Sequence, residues 1–145
     1  MILEAIDRLE KLLNTAPARL YEMDETVYAP KPHPSKWSKK EIIGHLIDSA
    51  ANNHQRFIRI QTEDLPSIRY DQDKWVAAGH YQSMNAVDLI KFWEAYNRHL
   101  LELIRRIPAA ALQRKCMVGT VTYTLAFVIN DYVDHLEHHL KQILG

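Results

Sequence analysis

The sequence predicts an all-α protein, a four-helix bundle with a long loop between the second and third helices. Three observations carry that prediction. Four long stretches place apolar residues at i, i+3, i+4 and i+7, the period of a helix buried along one face. Capping residues and prolines frame those stretches where helices start and stop. No sustained run of alternating apolar and polar residues competes with them as strand. At 145 residues the chain has the length of one domain, residues 1–145, able to bury a core without covalent staples.

Ile2, Ile6, Leu9 and Leu13 set the stripe of the first helix, widened by Leu3, Ala5 and Leu12. It is expected to stop before Pro17, whose ring disfavours helical geometry at Ala16. A short helical piece is expected between Pro17 and Asp24. Pro30, Pro32 and Pro34 then alternate through residues 28–34 and predict an extended connector.

The second helix carries the clearest start signal. Ser38 and Glu41 match a capping box, and Trp37 with Ile42 match the hydrophobic staple that fixes the entry of the chain. Ile42, Ile43, Leu46, Ile47, Ala50, Phe57 and Ile58 form its apolar face. His45, Ser49, Asn52 and Arg56 run along the flank of that face. The helix should end near Thr62, ahead of Pro66.

Residues 63–82 form the long loop, and loops of that length inside a domain are often functional. Tyr70, Trp75 and Tyr81 give it apolar surface to lie on the body of the protein. The third helix starts at an Asn85 cap and is closed by Pro108. Its His99 is read as packing or surface, because no second ligand lies a turn away. A short β-prone run, Val118 to Tyr123, precedes Thr124, the expected cap of the last helix.

Composition narrows the function. Lys plus Arg and Asp plus Glu are 18 each, giving zero net charge, so no basic excess exists to neutralise phosphates and nucleic-acid binding is not expected. Cys116 is the only cysteine, so no intramolecular disulfide is possible, in keeping with a reducing compartment. The first residues lack a basic region followed by a long apolar run, and no stretch reaches the length of a membrane span. A soluble cytoplasmic protein acting on small molecules is the expectation.

The chemistry concentrates in the last helix. His135 and His139 are four residues apart, so they stack on one helical face and can reach one metal ion from a rigid element. His139 falls inside the apolar stripe, where an unpartnered imidazole costs a few kcal/mol; a hydrogen bond or a metal would satisfy it. His138 points away, and His33, His54 and His80 are read as surface or packing residues. Asp131 and Gln142 are candidates to hold the ligand imidazoles from behind.

Trp37-Ser38-x-x-Glu41-x-x-x-His45, together with His135-x-x-x-His139-x-x-Gln142-Ile143, resembles the DinB superfamily. His45-x-x-Asp48-Ser49-x-x-Asn52-x-x-x-Arg56-Phe57, Glu63-Asp64-x-Pro66 and Tyr70-Asp71-x-x-x-Trp75 resemble more particularly its YfiT-type bacillithiol transferases. The likeness runs from about Arg19 to the end of the chain, with a shorter N-terminal lead than the subgroup often has. The resemblance implies a four-helix bundle, often a homodimer, with His45, His135 and His139 on one divalent metal, commonly zinc or nickel.

Three imidazoles leave an ion an open position, as in catalytic sites. Such an ion can hold a thiol as its nucleophilic thiolate, or lower the pKa of water to about 7. The leading expectation is therefore a transferase joining a low-molecular-weight, bacillithiol-like thiol to electrophiles. A hydrolase, amidase-like, is the alternative, and a metal-free interaction bundle the third. Arg56 is a candidate to clamp a carboxylate of the cofactor, Asn52 to orient substrate, and Tyr70, with Trp75, to line the mouth of the cleft.

Overall fold

The computed structural model describes residues 2–145. Its principal elements are α1 (Leu3–Tyr21), α2 (Glu25–Tyr28), α3 (Lys39–Thr62), α4 (Gln72–Gly79), α5 (Ala86–Arg105), strands β1 (Lys115–Val118) and β2 (Val121–Thr124), and α6 (Leu125–Leu144). The long helices α1, α3, α5 and α6 make the bundle. Both α1 and α3 pack against α5 and α6, so α1 and α3 stand at opposite corners. The apolar stripes meet in one core around Leu9, Leu13, Phe57, Ile90, Trp93, Leu100, Ile129 and Leu136. No helix among the described residues is long and apolar enough to cross a membrane.

The predicted caps form. Ser38 Oγ accepts from Glu41 N while Glu41 Oε1 accepts from Ser38 N, both at 3.0 Å. Asn85 caps α5 through Asp88 N, and Thr124 caps α6 through Phe127 N.

Three expectations need correction. The first helix does not stop before Pro17 but continues through it to Tyr21. A proline inside a helix leaves the carbonyl four residues earlier without its donor. Here that carbonyl, Leu13 O, accepts from Arg98 Nη2 at 3.0 Å, and the continued turn buries Ala16, Pro17 and Leu20. The short helical piece accordingly lies later, at Glu25–Tyr28, capped by Asp24.

The stretch between the second and third long helices is also not a plain loop. It contains α4, whose Asp71 cap accepts from Asp73 N and Lys74 N, and a 3-10 turn at Tyr81–Ser83. The β-prone run is half of a hairpin whose other strand begins at Lys115. Gly119 supplies the positive φ of +64° at its turn, a conformation that costs glycine least.

Candidate metal centre

His45 is held by the second long helix. The capping box and the Trp37–Ile42 staple fix the first turns of α3, and the Trp37 ring lies over His45 with centroids 4.8 Å apart. His45 is fully buried. It faces α6, whose His135 and His139 follow one another by a turn and are half-buried, while His138 is exposed.

The three imidazoles converge through the same atom. His45 Nε2 is 3.0 Å from His135 Nε2, and His135 Nε2 is 3.1 Å from His139 Nε2. Ligand atoms of all three lie within 4.8 Å of one another. Nitrogens held tetrahedrally at about 2.0–2.1 Å from zinc would stand roughly 3.3 Å apart, so the spacing is close to that of a first coordination shell.

The donor set fits a cation better than it fits a hydrogen-bond network. His139 Nδ1 lies 2.7 Å from Gln142 Oε1. The amide oxygen can only accept, so Nδ1 carries the proton and Nε2 presents its lone pair. Three facing ring nitrogens cannot all be satisfied by the protons neutral imidazoles carry between them; one cation satisfies all three.

Burial, followed by the charges that neighbouring imidazoles would carry, pushes the His45 pKa down to about 3. Burial, then His139 and His138, brings His135 to about 4. Burial also lowers His139, against the Gln142 hydrogen bond. The neutral, ligating form is therefore favoured throughout.

A cleft of about 510 Å³ opens beside His139, lined by Trp37, Ile42, Lys36, Gln72, Asp73 and Gln142 among others. A slightly larger groove of about 540 Å³, bounded by Gln61, His99 and Arg106, adjoins no convergent set of ligand atoms among the described residues. Size alone does not locate the site; convergent chemistry does.

The remaining candidates from the sequence are placed differently. Asn52 is buried and donates from Nδ2 to Asp48 O at 2.9 Å. Arg56 donates from Nη2 to Ile68 O at 3.1 Å and from Nη1 to Asn53 Oδ1 at 3.4 Å, tying α3 to the segment that leads to α4. Tyr70 packs edge-on against Trp75 at 5.6 Å, and burial raises its hydroxyl pKa. None of the three lines the cleft beside His139. Gln142 holds its imidazole as anticipated, whereas Asp131 makes no side-chain hydrogen bond to His135 among the described residues.

Trp37 is the residue whose role sequence reasoning missed. Its staple position was legible; its place over His45 was not. Lys36, Gln72 and Asp73 escaped too, because the connector and α4 reach the cleft only through the tertiary fold.

The DinB superfamily profile matches residues 4–143, nearly the whole chain. The chain belongs to the DinB superfamily. Among its relatives, a Halalkalibacterium halodurans protein named "Putative metal-dependent hydrolase BH0277" is 25% identical over 143 residues, covering 92% of this chain and 81% of the relative. A Bacillus mycoides protein of the same designation is 24% identical over 140 residues, covering 95% and 80%.

Among solved structures, YfiT from Bacillus subtilis, described as an unusual four-helix bundle, superposes with a TM-score of 0.83 at 23% identity. That match covers 99% of this chain and 86% of YfiT. A mycothiol-dependent maleylpyruvate isomerase gives a TM-score of 0.80 at 14% identity, covering 99% of this chain and 60% of the isomerase. These superpositions show that the chain shares the fold of both solved structures.

Proposed function

We propose that the protein is a metal-dependent enzyme in which His45, His135 and His139 hold one divalent ion, zinc or nickel. We further propose that it transfers a low-molecular-weight thiol to an electrophilic small molecule. The observation that carries the reading is the meeting of three Nε2 atoms from two helices, with His139 oriented by Gln142. A bound ion would supply the positive charge that keeps a thiol ionised at neutral pH.

The protein's own residues prepare the site for that chemistry. Trp37 and Ile42 give the cleft an apolar wall, a surface on which the carbon skeleton of a small-molecule substrate can rest. Lys36 and Asp73, on the cleft lining, offer opposite charges to a polar co-substrate. Arg56 keeps the segment before α4 seated on α3, and behind the cleft Asn52 ties into α3 through Asp48 O while Tyr70 packs on Trp75 of α4. In this reading they shape the approach to the site.

The thiol reading draws support from the mycothiol dependence of the isomerase that shares the fold. Hydrolysis is the second reading, favoured by the names of the sequence relatives. Two measurements separate these readings. Protein dialysed against zinc or nickel should retain one ion per chain; no retained ion would end both. Metal-loaded protein should then conjugate a bimane-type electrophile with at least one thiol of a panel faster than the uncatalysed rate. Turnover of amide substrates without any thiol, and no conjugation with any, would give the site to hydrolysis.

A further inference from the structure

One helical turn beyond His45, α3 carries a second buried polar group with a dedicated support. Asp48 is 5% exposed, and its Oδ1 accepts a hydrogen bond from the Tyr81 hydroxyl. Tyr81 reaches it by lying flat against α3 at Gly44. A Cβ at Gly44 would sit 2.1 Å from Tyr81 Cδ2, and one at Gly79 would sit 2.7 Å from Tyr81 Cε2. Two glycines thus make room for this ring, and its hydroxyl ends on one carboxylate.

Among the described residues, the other oxygen, Asp48 Oδ2, is buried without a partner, and so is His45 Nδ1. These orphans are complementary. An imidazole that offers Nε2 to a cation carries its proton on Nδ1, which becomes a buried donor. A carboxylate oxygen is an acceptor, and leaving either group unpaired inside a protein costs about 1–3 kcal/mol. Residues three apart on a helix have Cβ atoms about 5–6 Å apart, so the Asp48 carboxyl lies on the turn next to the His45 ring and within side-chain reach of it.

We propose that Asp48, braced by Tyr81, is the positioning carboxylate of His45: it accepts the Nδ1 proton, fixes the tautomer and leaves Nε2 free for the metal. The assignment rests on the three-histidine reading above. It gives His45 a counterpart to what Gln142 does for His139, with a full negative charge in place of an amide dipole. A charged partner makes the imidazole a more basic ligand, and the brace prevents the carboxyl from turning to solvent.

Zinc affinity measured by competition with a chromophoric chelator, together with long-range proton–nitrogen NMR of the His45 ring, tests the assignment. Asp48→Ala should weaken zinc binding by about 10–100-fold, the usual effect of losing such a partner. Asp48→Asn, which keeps an acceptor but loses the charge, should fall between that variant and the wild type. Tyr81→Phe should weaken binding a few-fold. In the zinc-free protein, the His45 proton should sit on Nδ1 in the wild type, redistribute towards Nε2 in Asp48→Ala, and do so to a lesser extent in Asp48→Asn.

The tautomer distinguishes positioning from a merely structural role, since loosened packing does not choose between ring nitrogens. If Asp48→Ala does not fold, Asp48→Asn and Tyr81→Phe carry the test. Zinc affinities and tautomers of those two variants within twofold of the wild type would overturn the proposal and leave the metal centre standing. A wild-type protein that takes up no zinc or nickel would overturn both.

Discussion

Helix α3 contributes a histidine to each of two clusters, and the two have little else in common. Towards its start, His45 meets His135 and His139 through three Nε2 atoms. Nine residues later, His54 meets Tyr96 and His99 of α5. There His54 Nδ1 is 2.9 Å from the Tyr96 hydroxyl, and the His99 ring stands edge-on at 5.5 Å. The second cluster is half exposed and its polar atoms have a partner that both donates and accepts. In the first, His45 is fully buried, and the facing nitrogens exceed the protons available to join them. Proximity of histidines does not separate the two; unsatisfied convergence does.

The sharpest way to break that comparison is to remove histidines one at a time. His45→Ala or His139→Ala should lower zinc affinity by at least about 100-fold, the upper end of what losing an outer partner costs. His54→Ala and His99→Ala should stay within about twofold of the wild type, as should His138→Ala. Chelator competition at neutral pH reads all five. Equal losses at His138 and His139 would refute the assignment of faces on α6.

Acid should separate the clusters next. In the zinc-free fold His45 titrates near 3 and His135 near 4, with burial the main cause. In the unfolded chain both return to about 6.5. Between those values the unfolded state binds more protons, so stability rises with pH there. The triad's contribution is thus fully present above about pH 6.5 and is lost as pH falls towards 4. Urea unfolding of zinc-free protein at pH 7 and pH 5 should show the loss, and His135→Ala should make it smaller. His54, lowered by burial and then by His99, acts in the same direction, and removing it should change the pH dependence less.

Gln142 offers a gentler cut. Its amide oxygen holds the proton of His139 on Nδ1, so Gln142→Ala should lower zinc affinity about 10-fold, towards the weaker end for such partners. Gln142→Glu, which restores an acceptor, should recover most of it. An unchanged affinity in the alanine variant would mean that helix α6 alone orients the ring.

These outcomes bear on how much of the site was legible beforehand. The i, i+4 spacing of His135 and His139 places them together on any helix, and the Ser38–Glu41 box announces the helix that carries His45. What spacing cannot supply is which helix faces which. The pairing of α3 with α6 came from family likeness and not from periodicity. The path through Pro17 was illegible for a related reason: the group that rescues Leu13 O is Arg98, 85 residues away. The helix at Gln72–Gly79 is an intermediate case. Its Asp71 cap could be read, yet eight residues with one buried side chain, Val76, give too little periodicity to announce a helix. Tyr81 and Asp48 show the same limit, since only the fold brings a residue after α4 onto Gly44.

The smallest expected effect belongs to the cluster that should not bind metal. Tyr96→Phe removes the hydroxyl that partners His54 and keeps the ring against Phe92, whose centroid is 5.6 Å away. A hydrogen bond of this kind is worth about 0.5–1.5 kcal/mol, and because His54 is only half-buried, water can take the place of the lost hydroxyl. The loss in urea unfolding should therefore fall at the low end of that range, with zinc affinity unchanged. A Tyr96→Phe protein that bound zinc more tightly would be the informative failure. It would mean that freeing His54 Nδ1 creates a competing site with His99, and that the tyrosine serves to keep metal at the triad by occupying the nearest alternative ligand.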